Sequence, residues 1–163
     1  MSSSHRQRML PAIGSIILAI ILTMVPLPSA LDPFRPDWVP LVLIYWTMML
    51  PQSYSVGMAW IVGLVLDVAQ GTLLGQHALA LVVIIFLTSR FHLLMRVFPM
   101  SQLTFTVFAM LAIYQFLLFW VNGVEGVAAP TASYWGPVLT GTILWPVVAG
   151  FLSGLRFRNL AGN

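Results

Sequence analysis

Few side chains in this sequence are suited to catalysis or to metal binding. The 163 residues include four carboxylates, three histidines and no cysteine. The histidines at positions 5, 77 and 92 are expected at different depths of the folded chain, so they cannot meet as metal ligands. No His-x-x-x-His, Gly-x-Ser-x-Gly or phosphate-binding loop is present. The sequence therefore predicts a protein that is not an enzyme and that has neither a cofactor nor a metal site.

Asp67 is the one acidic residue inside an apolar helical segment, Gly63-Leu-Val-Leu-Asp67-Val-Ala. A carboxylate in hydrocarbon is costly unless it is paired or hydrated. Three interpretations are open: the side chain reaches lipid headgroups or caps the following turn, it has a structural role inside a bundle, or it takes part in proton- or ion-coupled chemistry. The candidate partners are Gln70, Gln76 and His77.

A second group of charges lies in the loop at 26–37, where Asp32 and Asp37 flank Arg35. This arrangement predicts either a solvated salt bridge or a loop that docks a partner. Asp37 directly precedes an apolar segment, so it is also a candidate N-cap for the next helix.

The overall composition indicates the environment in which these residues fold. Of all residues, 60% are apolar and 7% are charged, and the mean hydropathy is +0.95. An ordinary soluble domain has about 25% charged residues, and a disordered chain would need more charge and less hydrophobicity. The net charge of +3 is thinly spread. We therefore predict an integral membrane protein with no nucleic-acid partner.

The apolar segments predict one all-α membrane domain, a six-helix bundle that covers residues 1–163. Helices are expected at about residues 9–25, 38–50, 56–69, 73–89, 103–121 and 135–155. The second and third are shorter than the roughly 20 residues that usually span a membrane. They therefore either span with local thinning of the bilayer or form a buried re-entrant pair.

The distribution of arginine predicts the orientation of this bundle. With six spans, one side receives six arginines and no acidic residue, and the other receives Arg35 and three acids. The six are Arg6, Arg8, Arg90, Arg96, Arg156 and Arg158. Because cytoplasmic loops are enriched in Arg and Lys, we expect both termini in the cytoplasm.

Small residues four positions apart indicate where helices can approach closely. The candidate packing pairs are Gly150 with Gly154, and Ser15 with Ala19. Packing within the bundle is the simplest interpretation of both. Gly71 and Gly75 have the same spacing but lie across a predicted turn, where glycine is used for its backbone conformation.

Three stretches carry motifs that are more specific than apolar helices. The first is Phe34-Arg35-Pro36-Asp37-Trp38-Val39, followed by Leu43-Ile44-Tyr45-Trp46 and Leu50-Pro51. The second is Gly63-Leu-Val-Leu-Asp67-Val-Ala-Gln-Gly71-Thr-Leu-Leu-Gly75, followed by Ala78-Leu79, and the third is Leu144-Trp145-Pro146. Together with the helix order and the short basic tails, they resemble the rod shape-determining protein MreD family, most specifically over residues 34–80.

This resemblance implies a bacterial inner-membrane protein of the cell-elongation machinery, with a fold similar to the six-helix substrate-binding subunits of vitamin transporters. Members of the family associate with MreC, a single-span protein, and through it with MreB, RodA and a class B transpeptidase. No catalytic residue comes with the family. The matching positions are expected to be structural or partner-contacting: Arg35, Pro36, Asp37, Asp67, Gly71 and Gly75.

The function that follows is a non-enzymatic membrane scaffold, which docks an MreC-like protein and helps couple MreB filaments to peptidoglycan synthases. The alternative is a small-solute transporter or a substrate-binding membrane subunit. That alternative needs a polar pocket, for which the sequence offers Asp67, Gln115 and scattered Ser and Thr. A lipid-modifying enzyme would need acids or histidines paired at one depth, and no such pair is expected.

Cysteine labelling tests the predicted orientation. Single cysteines introduced into this cysteine-free chain at Ser3, Ser53 and Gly162 are expected to react only from the cytoplasmic side, and one at Ser133 only from outside. The measurement is labelling of intact cells with an impermeant maleimide, before and after permeabilisation. External labelling at position 53 would contradict the assignment of the second and third helices.

Overall fold

The computed structural model describes residues 2–53, 56–127 and 132–161 of the chain. These residues form six α-helices and two short 3₁₀ turns, with no strand among them. The helices are α1 (Ser2–Met24), α2 (Trp38–Met49), α3 (Val56–Gln70), α4 (Gln76–Val97), α5 (Met100–Val124) and α6 (Gly136–Ala161). The 3₁₀ turns lie at Asp32–Phe34 and Ala132–Trp135. The predicted all-α class is confirmed.

Three of these helices, α4, α5 and α6, are long and apolar enough to cross a membrane. The apolar part of α1, Leu10–Met24, and the whole of α3 are shorter. At a rise of 1.5 Å per residue, α2 is about 18 Å long, which is less than the roughly 30 Å thickness of a hydrocarbon core. The bundle therefore combines three full-length candidate spans with shorter apolar helices.

The largest difference from the sequence-based boundaries is in α4. The helix was expected to end at about residue 89, but it continues without a break to Val97. No Pro or Gly interrupts this stretch before Pro99, so nothing in the local chemistry ends the helix earlier. At its other end α4 begins at Gln76 instead of Leu73, because the turn between α3 and α4 is longer than expected.

The α2 helix lies at the centre of the bundle. Its residues from Val39 to Met48 are all buried, and it contacts α1, α4, α5 and α6. A helix that is apolar on every side is stable only when other elements surround it. By contrast, α3 packs mainly against α4. The two short helices therefore do not pack chiefly on each other, as a re-entrant pair would.

Buried polar groups connect α1 to this central helix. The indole nitrogen of Trp46 in α2 donates a hydrogen bond of 2.8 Å to the hydroxyl of Ser15 in α1. Ser15 and Ala19 are both buried, so this pair of small residues packs inside the bundle as expected.

The charged residues define two ends of the bundle. Asp67 lies in the last turn of α3, Asp32 and Asp37 precede α2, and Glu125 follows α5; we call this the acidic end. At the opposite end, α2, α4 and α6 all terminate. There Arg96 of α4 donates to the carbonyls of Met48 and Met49, and Nη1 of Arg156 lies 3.0 Å from Sδ of Met49.

We call the opposite end, where Arg96 and Arg156 lie, the arginine end. Arg158 lies in the last turn of α6, and Arg90 lies about two turns before the end of α4. The side chains of Arg6 and Arg8, and residue Gly162, lie outside the described part of the chain.

Gly63 marks the closest approach of α3 to α4. A Cβ at this position would lie 2.6 Å from the backbone nitrogen of Ala78, in a region where neither backbone can move easily. Gly14 in α1 provides a comparison, because a Cβ there would meet nothing within 4 Å.

Gly63→Ala is therefore expected to destabilise the protein by about 1–3 kcal/mol, the usual cost of overpacking. Gly14→Ala should be neutral or stabilising by up to about 1 kcal/mol, because alanine favours a helix over glycine. The measurement is the midpoint of thermal unfolding in detergent for both variants. Equal midpoints would show that α3 and α4 are not in close contact at Gly63.

Candidate functional site

Asp67 lies at the turn between α3 and α4, and its side chain is fully buried. The carboxylate accepts four hydrogen bonds. Its Oδ1 receives the backbone N–H of His77 at 2.9 Å, the Nδ1–H of the His77 ring at 2.7 Å and the hydroxyl of Thr72 at 3.1 Å. Its Oδ2 receives the backbone N–H of Gly75 at 2.8 Å. A buried charge is tolerated when it is satisfied in this way.

Two of these donors are backbone groups at the start of α4. Gly75 is the N-cap residue of α4 and His77 is the second residue of the helix. The first N–H groups of a helix have no partner within it, and they carry the positive end of the helix dipole. Asp67 therefore caps α4 from the neighbouring helix α3, and the negative charge is in a favourable position.

The chain between the two helices is shaped by two glycines. Gly71 has φ of +66° and Gly75 has φ of +102°, both in the left-handed region that favours glycine. Thr72 N–H donates to Asp67 O and Gly71 N–H donates to Val68 O, which is the Schellman ending of α3. The predicted use of both glycines for backbone conformation is confirmed.

This geometry distinguishes among the interpretations of Asp67. The carboxylate is buried in the bundle, where it caps the following turn through Thr72 and Gly75, as one interpretation predicted, and joins two helices. Of its candidate partners, His77 is found, whereas Gln70 is exposed and the side chain of Gln76 bonds to Asn122 instead. Thr72 and the backbone of Gly75 were missed. The Gly-x-x-x-Gly spacing that directly follows Asp67 was the available signal, because it predicted a tight return of the chain.

The structure also brings together an acid and a histidine at one depth: His77 was a predicted partner of Asp67, but a pair suited to a lipid-modifying enzyme was not expected. A pair of this kind orients a general base in many hydrolases. Here the hydroxyl of Thr72 lies 3.3 Å from Nδ1, the ring nitrogen that already bonds to Asp67. Within the described residues no hydroxyl is bonded to Nε2, and the Asp67–His77 pair acts as a link between helices.

A second hydrogen-bonded network lies at the same end. The amide of Gln76 in α4 donates to the side-chain oxygen of Asn122 in α5 at 2.7 Å, and the Asn122 amide lies 3.3 Å from the hydroxyl of Tyr134. Gln115 donates to the backbone oxygen of Tyr134 at 2.9 Å. These bonds hold α4, α5 and the 3₁₀ turn at Ala132–Trp135 together. The roles of Asn122 and Tyr134 were not predicted from the sequence, because their hydrogen-bond partners come from distant segments.

Arg35 joins the loop before α2 to the end of α1. Its guanidinium donates to the carbonyl of Thr23 in the last turn of α1 and to that of Val25, just after the helix. Its Nε lies 3.8 Å from the exposed carboxylate of Asp32. Such an exposed ion pair contributes little to stability. The bonds to the helix end are therefore the main structural contribution of Arg35.

Asp37 occupies the N-cap position of α2, but its side chain makes no capping hydrogen bond. The predicted position is thus confirmed and the predicted cap is wrong. Burial raises the pKa of the Asp37 carboxyl to about 7.

Gly150 and Gly154 lie on an exposed face of α6. A Cβ at either position would meet no atom of another described residue within 4 Å. Unlike Ser15 and Ala19, this pair does not pack within the described part of the bundle. Exposed Ile143 and Val147 continue the same face along the helix.

No group of three or more metal-binding side chains is found among the described residues. The acidic end therefore holds polar networks that connect helices, and its described acids and histidines do not form a metal-binding cluster.

Comparison with known proteins identifies the family of the chain. The model of the family described as rod shape-determining protein MreD matches residues 6–155. A curated relative, the rod shape-determining protein MreD of Haemophilus influenzae, is 28% identical over 144 residues, which is 86% of this chain and 86% of the relative. No solved structure matches. The expected similarity to the vitamin-transporter subunits therefore stays a prediction.

Asp67→Asn is expected to destabilise the protein by about 1.5–3 kcal/mol, because a neutral amide replaces a charged acceptor of four hydrogen bonds and turns an NH₂ group toward donors. The control is Glu125→Gln, which removes the same charge from an exposed residue at the same end. Thermal unfolding in detergent measures both. If Glu125→Gln lowers the midpoint of unfolding by as much as Asp67→Asn does, the special role of Asp67 is contradicted.

Proposed function

Because the chain belongs to the MreD family of rod shape-determining proteins, we propose that it is a non-enzymatic membrane scaffold of the bacterial cell-elongation machinery. The observation that carries this proposal is that the Asp67–His77 pair links α3 to α4. The carboxylate of this acid–histidine pair accepts four hydrogen bonds from the turn between α3 and α4 and from the start of α4. The site contributes rigidity, and a scaffold needs rigidity.

The proposed partner is an MreC-like protein with a single transmembrane helix. Through it the scaffold is linked indirectly to MreB, to RodA and to a class B transpeptidase. The contact is lateral, between helices within the bilayer. In a bilayer, helices associate through close packing and a few hydrogen bonds, and small residues allow the backbones to approach.

The exposed face of α6 formed by Ile143, Val147, Gly150 and Gly154 is the surface we propose for this contact. The two glycines leave a shallow depression, since a Cβ at either one would have free space around it. Ile143 and Val147 are 74% and 66% exposed and would provide apolar contact area. We propose a second contact in the loop before α2, at the family-motif residues Arg35, Pro36 and Asp37.

The proposed location is the bacterial inner membrane, with both termini in the cytoplasm. The support is the separation of charge between the two ends of the bundle. The arginine end has Arg96 and Arg156, whereas all four acids lie at the other end. Positive residues are retained on the cytoplasmic side of membrane proteins.

Co-purification tests this proposal. We expect the tagged chain, extracted in detergent, to retain an MreC-like protein. Gly150→Leu is expected to reduce the retained partner about tenfold, which corresponds to a loss of roughly 1.4 kcal/mol. Gly14→Leu is the matched control, because Gly14 is also an exposed helical glycine with free space but lies on α1.

Two results would contradict the proposal. The first is equal loss of partner with both leucine variants, which would remove the assignment to α6. The second is saturable binding of a small solute by the isolated chain with no partner retained, which would favour a transporter or a substrate-binding subunit. Restoration of rod shape in cells that lack the native protein provides the cellular measurement.

A further inference from the structure

A pocket of about 400 Å³ opens at the arginine end of the bundle. One side of the pocket is formed by Met49 at the end of α2 and by the turn at 50–53 that follows it. The other side is formed by His92 and Arg96 of α4. Small-molecule sites in proteins commonly measure roughly 300–1,000 Å³. The pocket is therefore large enough for a chemical group much larger than a water molecule.

The guanidinium of Arg96 is held in place at this pocket. Its Nε donates to Met48 O at 2.8 Å, and Nη2 donates to Met49 O. These bonds satisfy the carbonyls at the C-terminal end of α2, where the helix dipole is negative. Arg96 nevertheless stays exposed, so its remaining N–H groups are available to a ligand at little additional entropic cost.

His92 is oriented in the same pocket. Its Nδ1 lies 2.6 Å from the backbone oxygen of Ser89, and a carbonyl only accepts, so the proton is on Nδ1. In this tautomer Nε2 is an acceptor, so it can receive a hydrogen bond from a ligand hydroxyl but cannot donate one to a phosphate oxygen. Gln52 and Ser53 add further polar side chains along the wall.

No acidic side chain lies at this end of the bundle. All four carboxylates of the chain lie at the acidic end, and neither Arg96 nor Arg156 forms an ion pair within the described residues. Arg156 contacts Met49, so a second guanidinium is next to the pocket. The pocket therefore lacks a counter-ion, and an anion is the ligand that its chemistry favours.

We propose that this pocket binds the phosphate group of an anionic phospholipid. Arginine recognises phosphate through charge-assisted hydrogen bonds. The pocket lies where α2 and α4 end, and the termini of membrane helices lie at the level of the lipid headgroups. This proposal does not depend on the scaffold function, and it concerns the opposite end of the bundle from Asp67.

Titration of the full chain in detergent with single lipids tests the proposal, with native mass spectrometry as the measurement. Phosphatidylglycerol, which is anionic, is expected to bind saturably as one copy, at least tenfold more tightly than zwitterionic phosphatidylethanolamine. Inorganic phosphate is the third probe, because it has the same charged group without the acyl chains. Inorganic phosphate is expected to compete only weakly with phosphatidylglycerol for the pocket.

Two variants and two matched controls assign the binding to the pocket. Arg96→Gln removes the guanidinium, and Arg90→Gln removes the same charge from an exposed position on the same helix. Gln52→Glu places a negative charge in the pocket wall and leaves the bonds from Arg96 to α2 intact. Gln102→Glu makes the same change at an exposed position in the first turn of α5, at the same end.

Arg96→Gln and Gln52→Glu are each expected to weaken phosphatidylglycerol binding about tenfold, as for the loss of one charge-assisted hydrogen bond. The two controls should remain within about twofold of the unmodified chain, since exposed charges act weakly at a distance. If Arg96→Gln fails to fold, Gln52→Glu still provides the test.

The proposal is wrong if the variants and their controls weaken binding equally, because the attraction would then be a general effect of positive charge. It is also wrong if phosphatidylethanolamine binds as tightly as phosphatidylglycerol. Tight binding of inorganic phosphate with no preference for the lipid would assign the pocket to a soluble phosphate and overturn the lipid source.

Discussion

The buried carboxylate of Asp67 is the interaction on which the rest of the bundle depends. It accepts the first free N–H groups of α4 while it belongs to the last turn of α3, so one charge determines where one helix ends and the next begins. His77 and Thr72 complete its hydrogen bonds. Because an unpaired carboxylate in an apolar bundle is very costly, alternative registers of α3 against α4 are disfavoured. The close contact at Gly63 requires the same register.

The same rule operates at other helix ends, with charges of opposite sign. Arg35 satisfies the last carbonyls of α1, and Arg96 satisfies those of α2. Each of these charges is matched to a helix dipole, and each comes from a different segment of the chain. The C-terminal carbonyls of the buried central helix α2 are therefore satisfied from α4, within the bundle. A bundle built in this way has helix ends joined by its own side chains and apolar outer faces left open.

The residues that join the helices were easier to predict from the sequence than the contacts that they make. Asp67 was singled out because it is the one acid in an apolar segment, and His77 was among its candidate partners. Thr72 was missed although its side-chain hydroxyl donates to Asp67, and the amide of Gly75 was missed because a bond from a backbone N–H depends little on residue type. Asp37 was expected to cap α2 and does not, since capping depends on side-chain direction as well as position. Gly150 and Gly154 were assigned to packing within the bundle, whereas both are exposed.

Composition and periodicity were sufficient to determine the membrane class, the six helices and the separation of arginine from acidic residues. These properties follow from the transfer of whole segments into an apolar environment, which depends on residue types and little on geometry. Only the tertiary structure decided which helix occupies the centre, which face of α6 stays open and which polar groups meet. Those outcomes depend on distances between residues far apart in the chain, such as Trp46 with Ser15 and Gln76 with Asn122. Local sequence carries no record of such distances.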